Sequence, residues 1–542
     1  MKKAYLKELQ GQLLGTITDN PDAMAHFATD LSVLRAQPDS VVYPANTADV
    51  RKTVQFAHEH TMAGHPVPLV ARGLGSGESG GAVGAGTQVV FSAHMNKLLQ
   101  LDRDTVTVQP GILYRTLQQT LHTHSRFIPP YPPSLDYATV GGAVAEDAVG
   151  LHSVKYGSTR NYVKGLKVVL ADGSLIQTGR ISARELNRRK GRTTLEGELY
   201  RGLDNILLDN TDLIKRATPK LPYNAAGYSL QHVRGKDGSF DLSQIVIGAQ
   251  GTLGLITEVT LKTATYHPRT SLVVGYFDST YAALEVAVML RRLGPSALEL
   301  ADRGLTEAVL ASHPGYLDGL LPDDRPYTVV LAQFDQASQF AQRLACGRAE
   351  RIMFKHKGHP RIATDPVEQV ALWKLRMAAS LYMEPTSGQK RALPCMEAAA
   401  VPLDKLPDLL EKTTKLLKKY DVTAAIWGHV GDGHLGFVPR LDLSKKKSAD
   451  HLMSLSREYS EVVAKLGGSP SAAAGDGPLR SLWLEDVYGP DMTKLFADVK
   501  RLFDPLGIFG QGQKTTATVE SVRAALRTEY INTAQHNYIM FR

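Results

Sequence analysis

Two spacings of apolar residues alternate along this chain, one helical and one of strand type. SVVYPANTADVRKTVQFAHEH (40–60) reads as a strand, a proline turn and a helix with Val50, Val54 and Ala57 on one face. VPLV (67–70) and TQVVFS (87–92) predict brief buried strands on either side of a glycine-rich segment. GLKVVLADGSLIQTG (165–179) predicts a hairpin around Asp172–Gly173, and IVIGAQGTLGLITEVTLKT (245–263) reads as strand, glycine turn, strand. Beyond residue 270 the character changes. STYAALEVAVMLRRLG (279–294), SADHLMSLSREYSEVVAKLGG (448–468) and DMTKLFADVKRLFDPLG (491–507) carry helical periodicity, with strands between them as in an α+β layer domain. After residue 515 a last helix with an aromatic end, NYIMFR, is expected.

Composition narrows the classes. A chain of 542 residues is too long for one compact core, and 43% hydrophobic with 21% charged residues is ordinary globular chemistry. The start, MKKAYLKELQGQLLG, interrupts its apolar positions with Lys7, Glu8 and Gln10, so it reads as an amphipathic helix and not a signal peptide. Cys346 and Cys395 form no spaced cluster, which argues against an iron–sulfur or cysteine zinc centre and fits a reducing cytoplasm. The net charge of +8 gathers only in short runs such as RELNRRKGR (184–192) and SKKKS (444–448), without interleaved aromatics. No nucleic-acid partner is expected; an anionic substrate or a peripheral membrane contact is compatible with the charge.

The sharpest local signal is ARGLGSGESGGAVGAG (71–86), seven glycines in sixteen residues, able to turn successive backbone N–H groups toward one anion. No Gly-Lys-Ser/Thr follows, and a strand rather than a helix comes next, so it is neither a Walker loop nor a Rossmann fingerprint. Its company makes it specific: PPYPPSLDYATVGGAVAEDAVG (129–150), NAAGYSL (224–230) and GAQGTLGLITEVTL (248–261), in that order.

With these segments the chain resembles the vanillyl-alcohol oxidase and p-cresol methylhydroxylase superfamily, in the branch of D-lactate dehydrogenases and glycolate oxidase FAD subunits. The resemblance implies an α+β fold: a two-lobed FAD-binding domain over 39–266 and an FAD-linked oxidase C-terminal domain over 267–514. Flanking segments 1–38 and 515–542 lie outside both. By position, Gly73, Gly75, Ser76, Gly77, Ser79 and Gly80 are expected at the FAD pyrophosphate. Pro133, Ser134, Thr139, Gly141 and Gly142, with Ala148 and Gly150 nearby, are expected along the ribityl and isoalloxazine side, and Ile256 at the adenine half. Leu74, Glu146–Asp147 and Ala249–Gln250 depart from the family pattern. With no His or Cys in 71–86, non-covalent FAD is expected.

The same resemblance puts Arg376 in LWKLRMAAS, with Ser380 one turn on and Arg391 before LPCMEAAAVP, at the substrate carboxylate. In WGHVGDGHLGF (427–437) His429 is kept, His434 replaces an asparagine, and Gly436 stands where relatives have a second metal-ligand histidine. GGSPSAAAGDG (467–477) sets Ala473 at a metal-ligand glutamate and Ala474 at the base histidine. A methyl group neither binds a metal nor takes a proton, so no metal is expected. Three readings stay open: His434 or His429 serves as base, the reaction needs none, or the protein binds FAD without turnover. A non-catalytic flavin subunit and a non-redox relative of the alkylglycerone-phosphate synthase kind compete with the leading expectation. That expectation is oxidation of a small anionic D-2-hydroxy acid, with quinone, oxygen or a partner protein as acceptor.

Overall fold

The computed structural model describes residues 3–384 and 390–528. Asn46 caps the helix Thr47–Met62, and its Val50, Val54 and Ala57 are fully buried as the periodicity predicts. This helix covers a small sheet ordered Thr16–Thr18, Ser40–Tyr43, Thr87–Val90, Leu69–Arg72, whose last three strands run parallel. The second lobe is a five-stranded antiparallel sheet ordered Leu98–Leu101, Thr105–Val108, Leu255–Lys262, Val163–Val169, Leu175–Gln177. Its hairpin turns at Gly173, where φ of +77° suits glycine.

The carboxyl half is one seven-stranded antiparallel sheet: His359–Ala363, Ser271–Phe277, Thr328–Phe334, Ala297–Ala301, Ala424–Gly428, Gly436–Leu441, Arg391–Ala392. Helices cover both faces. Gln339–Lys355 and Leu406–Lys419 pack on one side, and Arg303–Ser312 and Pro366–Tyr382 on the other. No helix among the described residues is long and apolar enough to cross a membrane.

Three expectations are corrected or bounded. IVI (245–247) does not begin a strand: Asp241 accepts from Ser243 N at 3.0 Å and starts the one-turn helix Ser243–Val246. An apolar triplet carries no period of its own, so the local turn decides. The late helix begins at Leu484, earlier than its periodicity suggests, and runs to Phe503 across a kink at Gly489–Pro490. Its Tyr488, Phe496 and Phe503 are buried with Tyr200, Leu203 and Tyr228 of the second lobe, so the chain returns to its amino-terminal half. NYIMFR lies outside the described residues.

Candidate functional site

Between the lobes lies a groove. Gly73, Gly75, Ser76 and Gly77 form one wall; Ser134, Thr139, Gly141 and Gly142 form another, with Ala148 and Ile256. The strand Leu69–Arg72 ends beneath the first wall, and the chain reverses at Gly75 with φ of +74°. A Cβ at Gly75 would run into the Arg72 guanidinium. Arg72 is itself buried, donating from Nη1 to Ala82 O at 3.1 Å and from Nη2 to Thr29 O at 2.7 Å. A fixed cation therefore floors the glycine loop. Thr139 caps the helix Val140–Glu146, its Oγ1 accepting from Gly142 N at 3.2 Å, which holds Gly141 and Gly142 in the wall. Leu74 keeps an ordinary negative φ, so losing a glycine there strains nothing.

Four expected residues are not in the walls. Ser79 accepts from Gln250 Nε2 at 2.8 Å, and Gly80 packs against Leu34 and Pro478. Gly150 N donates to Ser153 Oγ at 2.7 Å with its Cα pressed on Tyr131, while Pro133 is half-buried between the wall residues Pro132 and Ser134. These residues hold the loops and do not line the groove. Gln250, which the sequence showed only as a departure, joins the halves: beyond Ser79, its Oε1 accepts from Gly477 N at 2.9 Å. Glu146 is a wall residue whose carboxyl burial, with Asp30 adding its charge, pushes up to about 8. Burial, reinforced by Glu397, also raises Glu78. Near neutral pH Glu146 is uncharged and does not oppose a phosphate. Arg72 below, glycines too tightly packed for side chains, and a neutral carboxyl together fit a dinucleotide pyrophosphate.

Beyond Ala148 the material changes. Val149 packs on Tyr223, Ala400 and Ala472. Strand pairing of Leu300 with Gly428 brings Glu299 beside the residue that follows the next strand, His429. His429 Nδ1 lies 2.7 Å from Glu299 Oε1, and Arg376 Nε donates to Glu299 Oε2 at 2.8 Å. All three side chains are at most 5% exposed. Glu299 engages Nδ1 and leaves Nε2 as the other ring nitrogen of His429. Glu299 was invisible in the sequence: a lone acid in the apolar strand SALELA, 77 residues from Arg376 and 130 from His429.

His434 is brought close, its ring 5.1 Å from that of His429, but both its nitrogens face backbone. Nδ1 accepts from His429 N at 3.2 Å and Nε2 lies 2.8 Å from Glu397 O. Burial, with His429 adding to it, lowers its pKa to about 3. Taking a proton would cost it the His429 amide bond. Arg376, expected as an open fork for a substrate carboxylate, already has its Nε on a carboxylate of the protein. Ser380 is exposed and donates to Met377 O at 2.8 Å, turned away from buried Arg376. Arg391 is half-buried at the edge strand beside Leu441.

Two further groups lie near this cluster. The Tyr223 hydroxyl and Asp432 Oδ2 are buried without hydrogen-bond partners among the described residues. Burial, then Glu299, pushes the Asp432 carboxyl up to about 8; burial, then Asp432, raises Tyr223 well above the phenol range. The alanine loop packs with Tyr223 through Ala472, with Ala473 N donating to Ala398 O at 3.1 Å and Ala225 N to Ala472 O at 3.2 Å. Its flanks are tied down by Arg480, paired with Glu397, and by the fully buried Lys514–Asp476 pair at 2.8 Å. Position 436 is closed to a side chain: a Cβ there would lie 2.6 Å from Glu397 O. Among the described residues no three His, Cys, Asp or Glu side chains gather closely enough to share a metal ion.

Residues 38–179 match the family described as FAD binding domain, and 267–513 match FAD linked oxidases, C-terminal domain. The chain is 27% identical to a D-2-hydroxyglutarate dehydrogenase of Pantoea ananatis over 541 residues, covering 96% of this chain and 52% of that protein. It thus spans about half the length of that relative. It is 25% identical to the glycolate oxidase subunit GlcD of Bacillus subtilis, covering 88% of this chain and 89% of that one. A structure of p-cresol methylhydroxylase with substrate bound shares the fold, with a TM-score of 0.66 at 15% identity, covering 95% of this chain and 96% of that one.

Proposed function

We propose that this chain, which belongs to the FAD-linked oxidase family, oxidises a small D-2-hydroxy acid to the 2-oxo acid with His429 as the base. FAD, held without a covalent bond by the glycine groove, supplies the two-electron acceptor for the hydrogen leaving the substrate Cα. Residues 39–266 form the FAD-binding domain and 267–514 the substrate domain. His429 Nε2 takes the hydroxyl proton. Glu299 fixes the ring by accepting Nδ1–H, and its charge stabilises the imidazolium that forms. Arg376 anchors Glu299 through Nε and offers its terminal nitrogens to the substrate carboxylate. The electrons then pass to a quinone, oxygen or a partner protein.

The observation that carries this reading is the buried His429–Glu299–Arg376 chain, which supplies an oriented base where the alanine loop has none. A second reading, a flavin-binding subunit without turnover, is favoured by Ala473 and Ala474 themselves. Anaerobic mixing with D-lactate, glycolate and D-2-hydroxyglutarate separates the two. Bleaching of the visible flavin bands with one of them, together with release of the 2-oxo acid, is expected. A flavin that stays yellow with all three supports the second reading. Acid precipitation should leave the yellow colour in the supernatant; colour in the pellet means a covalent link.

A further inference from the structure

The helix Gln339–Lys355 carries apolar residues on both faces. Gln342, Ala345, Cys346, Ala349 and Met353 are buried against the sheet. On the opposite face, at i, i+4 and i+14, stand Phe340, Leu344 and Phe354, exposed by 77%, 40% and 75%. Lone exposed apolar residues need no explanation, but two phenylalanines and a leucine in one stripe do. Exposed Arg351 lies within the stripe, Arg343 and Glu350 flank it on one side and Arg348 and Lys355 on the other, and Lys357 follows in the turn.

Among the described residues none of these five cations makes an ion pair. On other surface helices Arg188 pairs with Glu185, Lys415 with Glu411 and Arg457 with Glu461. An unpaired cationic rim around exposed aromatic side chains is the chemistry of a helix that lies in the headgroup layer of an anionic bilayer. A second copy of the chain fits less well. Like-charged rims would face each other, and the neighbouring edge strand His359–Ala363 carries Pro360 and Arg361, which oppose strand pairing.

We propose that the outer face of the helix Gln339–Lys355 docks the protein on an anionic phospholipid surface, with Phe340 and Phe354 in the interface and the arginines on lipid phosphates. This stands independently of the hydroxy-acid reading and gives the membrane contact compatible with the net charge a defined surface.

The test is flotation of the full-length flavoprotein with vesicles of phosphatidylcholine, with and without phosphatidylglycerol. The protein should float only with the anionic vesicles, and added salt should release it. Arg343→Glu with Arg351→Glu should weaken partition by at least about five-fold for each cation removed. Phe340→Ser with Phe354→Ser should weaken it further, while flavin absorbance and melting temperature stay at the wild-type values. Failure to float with anionic vesicles overturns the proposal, as does binding that both double variants retain. A wild-type dimer that the phenylalanine variant converts to monomer, without vesicle binding, overturns it too and assigns the face to a second copy.

Discussion

The groove and the charged cluster beyond it are made of different material. The groove is made mostly of backbone: the turn at Gly75, the capped turn Thr139–Gly142, and Arg72 bound to main-chain carbonyls. The cluster is built from side chains that three separate elements deliver, with Glu299, Arg376 and His429 each making contacts no neighbour duplicates. Backbone donors belong to every residue, so the groove absorbs the loss of a family glycine at Leu74. Side-chain chemistry has no such reserve. With Ala473 and Ala474 in the loop, the proposed reaction assigns proton transfer to His429 Nε2, the ring nitrogen that Glu299 leaves unused.

The largest effect should come from attacking the groove at a glycine. Gly75→Val places a branched side chain at φ of +74° against Arg72, and the purified protein should be colourless. A yellow product would mean that the groove is not built on backbone in the way described. Next is His429→Ala, which should keep the flavin and slow its reduction by ~10²–10⁴-fold, the usual worth of a general base. An unchanged rate would move the base elsewhere, with Tyr223 the first residue to try.

Glu299→Gln should cost about 10–100-fold, the scale of losing a group that orients another, with FAD content unchanged. Its pH profile matters more than its size. If Glu299 only packs, the rate falls uniformly with pH; if it orients and stabilises the imidazolium, the pH at which the rate rises should move. Asp432→Asn should act on stability alone. In the fold Asp432 holds its proton up to about pH 8, whereas the unfolded chain releases it near ~3.9. Its contribution is fully present below that lower value and is lost as pH rises toward 8, so the variant should melt higher than wild type in alkali and show a flatter profile. Melting curves across this range decide it. The smallest effect belongs to Ala473→Glu with Ala474→His. No gain near the ~10²-fold of a new base is expected, because position 436 cannot take the third side chain.

The same contrast explains what could be read in advance. RGLGSGESGG and Asp172–Gly173 announce themselves because their geometry is local: consecutive residues decide a turn. Gly73 to Gly77, Thr139 and Gly142 were therefore legible. Glu299 was not, because a buried acid in a strand declares its partner only when pairing of Leu300 with Gly428 brings His429 alongside. His434 looked equivalent to His429 in GHVGDGH, and only the backbone around it distinguishes them. Ser79 and Gly80 match the motif in letter, yet they brace the loops from behind. Ser243–Val246 was misread because three apolar residues fit either period.

The return of Leu484–Phe503 to the second lobe has a consequence for how the protein is made. Phe496 fills the space beside Gly227, Ile508 and Phe509 join the first lobe through Leu69 N to Ile508 O at 2.8 Å, and Lys514 donates to Gly227 O at 2.9 Å. The two lobes that flank the groove thus lack part of their core until these residues have left the ribosome. During synthesis the whole seven-stranded sheet emerges between these two pieces. Cofactor loading is therefore expected to come late, and a nascent chain stalled in the seven-stranded sheet should hold flavin poorly.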